Sequence, residues 1–179
     1  DGAINEGEFH ESMNLASLWK LPVIFFVENN LYGMGAPIDQ TLVFHDQIYK
    51  FANAYKMPSE RVDGMDVMKV LEATRVAVER VRGGEGPYLI EAMAYRFRGH
   101  SMADPSEYRA KAEELLWKKK DPIVTFSKRL TDEKVASQEE LGELEKEVEE
   151  IVNKAVRFAD ESPFPEPDAL YEDVYGSEK

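Results

Sequence analysis

Over the first hundred residues, short continuous apolar runs alternate with amphipathic stretches, and after that the short runs cease. Phe9, Met13, Ala16 and Leu18 recur at three-to-four spacing and predict a helix over 7–19. The run Leu21-Pro22-Val23-Ile24-Phe25-Phe26-Val27 is short, β-branched and aromatic, the pattern of a strand covered on both faces. Gly33, Gly35 and Pro37 then interrupt regular structure. Phe44, Ile48, Phe51, Ala52 and Tyr55 predict another helical face, and Arg61-Val62-Asp63-Gly64 a brief strand and turn. Asp66 is placed to cap a helix carrying Val67, Val70, Leu71, Thr74, Val78 and Val81, which Gly83-Gly84 stops. Residues 87–95 form the next apolar run. A strand–helix–strand–helix–strand order of this kind argues for an α/β fold with a parallel sheet and right-handed crossovers.

Beyond residue 99 the alternation gives way to a polar loop, 99–109, and then to helical patterning alone. Residues 110–130 read as helix interrupted near Asp121-Pro122, and Ser137 with Glu140 forms a capping box. Leu141, Leu144, Val148, Ile151, Val152, Ala155 and Ala159 make one apolar stripe, wider than a coiled-coil seam and so expected to pack onto the sheet domain. Pro163, Pro165 and Pro167 predict an extended tail. The expected organisation is therefore an α/β part over 1–109 and a helical region over 110–179. Only three strands are visible, fewer than such a sheet needs, so the chain is expected to be the C-terminal part of a longer one.

Composition narrows the classes of function. The 179 residues are 43% apolar, enough for a real core, and the chain contains no cysteine, which removes disulfide and thiol chemistry. No run approaches the roughly 18 uncharged apolar residues of a membrane span. The formal charge of −13 is uneven: residues 1–130 hold 19 acids and 17 bases, residues 131–179 hold 16 acids and 5 bases. So acidic a chain repels nucleic acid and anionic lipid, and neither is an expected partner. The acidic end reads as a solvated helix face, with docking of a basic partner as the alternative.

Candidate chemistry concentrates in two places. Asp1-Gly2-Ala3 opens the chain, and Glu28-Asn29-Asn30-Leu31-Tyr32-Gly33 follows the first strand. Alone, Asp1 or Asn30 would be a turn or cap residue. Together at one sheet edge they offer hard oxygen ligands to a Mg²⁺ that holds a phosphorylated cofactor. Gly2 and Ala3 keep the backbone bare, so that a diphosphate can approach amide N–H groups. The second place is Tyr95-Arg96-Phe97-Arg98-Gly99-His100-Ser101-Met102-Ala103-Asp104-Pro105. Its two arginines and histidine suit a cationic pocket for a diphosphate or carboxylate, and equally a solvated loop with paired arginines. Histidine titrates near neutrality, so His100 is also a candidate for proton transfer. His10 and His45 stand in no metal-ligand arrangement and read as surface or capping residues.

These motifs resemble thiamine-diphosphate enzymes, whose signature is Gly-Asp-Gly, a spacer the length of residues 3–28, then Asn-Asn; the first Gly would precede residue 1. The loop around His100 is similar to that of the α chain of the pyruvate dehydrogenase decarboxylating component. Leu18-Trp19-Lys20-Leu21-Pro22-Val23-Ile24-Phe25, Glu28-Asn29-Asn30-Leu31-Tyr32-Gly33-Met34-Gly35 and Arg61-Val62-Asp63-Gly64-Met65-Asp66 are similar to it as well. The resemblance implies the thiamine-diphosphate-binding fold with N-terminal strands missing, followed by a helical region. It also implies oxidative decarboxylation of pyruvate with transfer of the acetyl unit to lipoyl groups. By the same resemblance Mg²⁺ is held by Asp1, Asn30 and the backbone carbonyl of Tyr32, the cofactor by Asp1, Gly2, Ala3, Asn30 and His100, and His100 is the catalytic candidate.

The resemblance further implies an assembly of two α and two β chains, inactive without β, that serves a lipoyl-bearing acyltransferase core. Acetoin and branched-chain 2-oxoacid dehydrogenase α chains are the alternatives within the family, and a noncatalytic fragment or interaction module the alternative outside it. Ser101 matches the main inhibitory phosphorylation site of animal mitochondrial relatives. The chain departs from them at Pro37, at Arg98 and in a shorter loop after Pro105, a pattern that looks bacterial or plastid-like. A bacterial cytoplasm is the expected compartment, with mitochondrial matrix or plastid as alternatives.

Overall fold

The structure is a computed structural model that describes residues 1–174; the last five residues of the expected helical region lie outside the described residues. The chain divides into two compact units, Asp1–Lys128 and a second that begins at Arg129. The first opens with a 3-10 helix, Gly2–Asn5, and continues through α1 (Gly7–Leu18), β1 (Ile24–Asn29), a tight hairpin of β2 (Tyr32–Gly33) and β3 (Ala36–Pro37), and the single turn α2 (Ile38–Thr41). A second 3-10 helix, Ile48–Tyr55, leads to β4 (Ser59–Asp63), α3 (Val67–Arg82), β5 (Tyr88–Met93) and α4 (Lys111–Lys118). α5 (Pro122–Asp132) crosses the boundary between the units, and α6 (Gln138–Glu161) forms most of the second.

The sheet is parallel with order β1-β5-β4, so the last strand in sequence is central. This confirms the expected α/β class. Position in the sheet decides burial: the central β5 is buried from Tyr88 to Ala92, whereas the edge strand β1 leaves Phe26 42% exposed. The expectation that β1 is covered on both faces is thus corrected: Ile24 packs against the α3 cluster, but Phe26 on the same face is left exposed.

Two packed layers sandwich β5. On one face Ala73, Ala77 and Val81 of α3 meet Val62, Tyr88, Ile90 and Ala92; the small residues let helix and sheet approach closely. On the other face Met13 of α1 and Ala52 of the second 3-10 helix cover Leu89 together with Met57. A third cluster of Ile4, Val27, Ile38, Leu42 and Ile48 seats the start of the chain and the hairpin on β1. The helix anticipated from Phe44 to Tyr55 is a 3-10 segment from Ile48, and two-residue strands stand where a plain break was expected after Gly33.

Capping follows the sequence. The Asp66 side chain accepts from the N–H groups of Met68 and Lys69 at the start of α3, and α3 ends before Gly83. Ser137 and Glu140 form the full capping box of α6. Along α6 itself, Leu144, Val148, Ile151, Val152 and Val156 are each more than half exposed. The tail is extended only over 163–166, then turns into a 3-10 helix, Pro167–Tyr171. Among the described residues no helix is long and apolar enough to cross a membrane.

Candidate active site

Parallel pairing brings the C-terminal ends of all three strands to one edge: Asn29 and Asp63 are both in register with Met93. Ligands of open α/β sheets bind outside this edge. Here a cavity of about 560 Å³ is lined by Asp1, Gly2, Ala3, Asn30 and Tyr32, by the hairpin residues Gly33 and Met34, and by Arg96 and His100. Every residue proposed from sequence as a ligand or catalytic group therefore meets in one space. Arg98 and the exposed Ser101 do not line it.

One wall is built from the end of β1. Asn29 is fully buried, while Asn30 and Tyr32 are half-buried. The Oδ1 of Asn29 accepts from the Leu31 N–H at 3.1 Å, and the Oδ1 of Asn30 accepts from the Tyr32 N–H at 3.2 Å. Two successive side-chain turns of this kind wind the backbone tightly enough to put Leu31 in the left-handed region at φ 74°. Asn30 thus plays the turn role foreseen for a lone Asn and lines the cavity as well. Its main-chain N–H donates to Oδ1 of Asp1 at 3.0 Å, so the direct contact between the two residues is made by the backbone of Asn30 and not by its carboxamide.

The other oxygen of Asp1, Oδ2, is buried without a hydrogen-bond partner. Buried polar atoms are seldom left so, and an unpartnered carboxylate oxygen in a cavity that a carboxamide also lines is chemistry suited to a hard cation. Gly2 and Gly33 pack backbone against backbone: a Cβ on Gly2 would stand 3.1 Å from the Gly33 Cα. The floor here is bare main chain, as a diphosphate requires. Among the described residues no three His, Cys, Asp or Glu side chains converge as a metal cluster. The cavity lining offers the carboxylates of Asp1 and Glu6 and the carboxamides of Asn5 and Asn30.

The other wall is the loop 96–109. Asp104 organises it, accepting from the His100 N–H (2.7 Å), the Ser106 N–H (2.9 Å) and the Tyr108 hydroxyl (2.6 Å). The Tyr108 hydroxyl first, then the two amides, hold its carboxyl down at about 2. Arg96 donates to the His100 carbonyl at 3.1 Å. Gly99 has no room for a side chain, since a Cβ would come within 2.6 Å of the Asp104 carbonyl oxygen. Arg109 clasps the loop from behind, donating to the carbonyls of Arg96 and Arg98, with its guanidinium 4.9 Å from the centre of the Tyr32 ring.

The Tyr32 hydroxyl donates to Glu113 of α4 at 2.7 Å, and burial, then Glu113, push it up to about 12. Its side chain therefore ties the two walls together, a part that sequence reasoning did not assign. Sequence reasoning also missed Glu91, and gave Asn29 no role beyond its place in the Asn-Asn signature. Glu91 is a carboxylate buried at 0% exposure, and the one available signal was an acid inside the apolar run of β5. His10, which reads from sequence as a surface or capping residue, instead packs among Phe9 and Phe51 with Nδ1 3.1 Å from the Tyr55 hydroxyl. His45 has Nδ1 3.2 Å from the Leu42 carbonyl.

Comparison with known proteins identifies the family. The family model described as Dehydrogenase E1 component matches residues 1–168. The chain is 45% identical over 179 residues to the pyruvate dehydrogenase E1 component subunit alpha-3, chloroplastic, of Oryza sativa subsp. japonica, covering all of this chain and 42% of that protein. It is 44% identical over 175 residues to the pyruvate dehydrogenase E1 component subunit alpha of Rhizobium meliloti, covering 97% of this chain and 50% of the relative. The corresponding subunit of Rickettsia felis is 40% identical over 175 residues, 98% of this chain and 53% of its own. The chain thus spans about half the length of these curated relatives.

Proposed function

Because the chain belongs to the dehydrogenase E1 component family, we propose that it is part of the α chain of a thiamine-diphosphate-dependent pyruvate dehydrogenase, whose reaction decarboxylates pyruvate and transfers the acetyl unit to lipoyl groups. The observation that carries the reading is the meeting of Asp1, Asn30 and Tyr32 with Arg96 and His100 around one cavity at the C-terminal strand edge. The relatives quoted above are all named as pyruvate dehydrogenase subunits, which supports pyruvate over acetoin or a branched-chain acid.

In this reading the free Oδ2 of Asp1, Oδ1 of Asn30 and the main-chain carbonyl of Tyr32 hold Mg²⁺, and Gly2 and Ala3 face the diphosphate. Oδ1 of Asn30 has spare acceptor capacity after its turn bond to the Tyr32 N–H. Thiamine diphosphate, when bound, supplies the electron sink that decarboxylation of a 2-oxo acid needs. Arg96 contributes positive charge toward the diphosphate and donates to the His100 carbonyl. His100, exposed on its loop, lies where it can hold or pass a proton at the mouth of the cavity. A β chain in an α₂β₂ assembly and a lipoyl-bearing acyltransferase core complete the proposal, as does a bacterial cytoplasmic location.

Calorimetry of the full-length protein assembled with its β chain tests this. Thiamine diphosphate should bind with Mg²⁺ present and lose most of its affinity without it. Asp1→Ala should weaken Mg²⁺-dependent binding by about 100-fold or more, as removal of a charged ligand does. Equal binding by wild type and Asp1→Ala would refute the assigned site.

A further inference from the structure

Glu91 has no part in the chemistry proposed above, yet it is the one fully buried charged side chain among the described residues. Burying a carboxylate is unfavourable unless it is paired and hydrogen-bonded throughout. Glu91 meets that condition. Its Oε1 accepts from Nδ2 of Asn29 at 2.8 Å, its Oε2 accepts from the Tyr49 N–H at 3.0 Å, and the Arg61 guanidinium lies 3.5 Å from Oε1. A buried ion pair of this sort adds little stability compared with apolar residues of the same volume. Its value lies in what it orients.

What it orients is Asn29. A carboxamide can turn end for end, and only its partners decide which end is oxygen. With Glu91 as an obligate acceptor, Nδ2 must face β5 and Oδ1 must face the chain ahead, where it accepts from the Leu31 N–H. That bond holds Leu31 left-handed, a conformation unfavourable for a residue with a branched side chain. The same turn carries Asn30, whose main-chain N–H donates to Oδ1 of Asp1 and whose Oδ1 accepts from the Tyr32 N–H. A flipped Asn29 would set its NH₂ against the Leu31 N–H and release the turn.

We propose that Glu91 is a positioning residue that locks the Asn29 carboxamide, and through it the Asn30 donor group, so that the affinity of the site for its divalent cation depends on a carboxylate that never touches the cation. The inference rests on the proposed Mg²⁺ site. Groups that orient ligands from behind typically change metal affinity by about 10- to 100-fold when altered.

The test uses the full-length protein assembled with its β chain and titrates Mg²⁺ calorimetrically in the presence of thiamine diphosphate. Glu91→Gln keeps the shape but offers one acceptor to two donors, and should raise the Mg²⁺ dissociation constant by at least about tenfold. Pairing it with Asn29→Asp exchanges donor and acceptor: the carboxamide introduced on β5 then donates to the carboxylate introduced on β1, whose other oxygen still accepts from the Leu31 N–H. This double variant should recover affinity to within about threefold of wild type. Wild-type affinity in Glu91→Gln, or a folded double variant no tighter than the single one, overturns the inference. If Glu91→Gln does not assemble, the double variant decides alone: near-native affinity supports the lock and a tenfold loss overturns it. A wild-type protein that binds no Mg²⁺ would remove the site itself, an outcome distinct from a failure of the lock.

Discussion

Two walls of the same cavity are ordered by opposite means. The turn after β1 rests on Asn29 and Glu91, both sealed from water, and on a sheet edge packed against Ile48 and Val27. The loop 96–109 has His100, Ser101, Met102 and Ala103 exposed, and takes its shape from three hydrogen bonds to one aspartate and from an arginine lying over tyrosine rings. Order that comes from burial is released only with the surrounding core, whereas order from exposed polar contacts is released locally. The first wall should therefore open only with the core, and the exposed part of the second, 99–108, should open more readily.

Replacing Glu91 by Ala should have the largest effect. It strands two buried donors and opens a void, together worth about 3–5 kcal/mol, read from the denaturant midpoint of the full-length protein. A loss under about 1 kcal/mol would show that the first wall is not held by burial. Tyr32→Phe comes next, because it keeps the ring under Arg109 but removes the bond to Glu113 that joins the walls. About 1 kcal/mol is expected, with faster hydrogen exchange confined to 96–113; equal exchange in both walls would contradict the proposed tie.

Asp104→Ala should leave the denaturant midpoint unmoved while protease cleavage between 99 and 108 accelerates several-fold. A global shift would mean that the loop is part of the core after all. The smallest effect is one of pH. The Asp104 carboxyl lies at about 2 in the folded chain, below its ordinary value near 3.8. A depressed carboxyl pKa contributes order that is full above the unfolded value and lost as pH falls through the folded one. Loop protection should therefore hold down to about pH 4 and fade between about 4 and 2, whereas the 29–33 turn should follow global unfolding. Simultaneous loss of both would break the distinction.

Much of this was legible beforehand where the signal is local. α1, α3 and α6 announce themselves by spacing, and the caps at Asp66 and Ser137 work as their side chains dictate. The candidate ligands were legible too, since Asp1, Asn30 and the loop around His100 carry a motif. Illegible were the features that depend on a neighbour distant in sequence. Asn29 meets Glu91 across 62 residues and Tyr32 meets Glu113 across 81. Phe26 looks as buried as Ile90 in any window of sequence, and only its place on an edge strand separates them.

By itself, then, the sequence determined the longer helices and strands, the caps at Asp66 and Ser137, and which residues are candidates to bind a cation and a diphosphate. Each of these is settled by contacts a few residues apart or by the chemistry of a side chain. The tertiary structure alone decided that β5 is central, that a carboxylate on it holds a carboxamide on β1, and that a buried turn and an exposed loop face one cavity. Strand order and the dielectric around a charge are properties of the assembled sheet, and no local stretch of chain contains them.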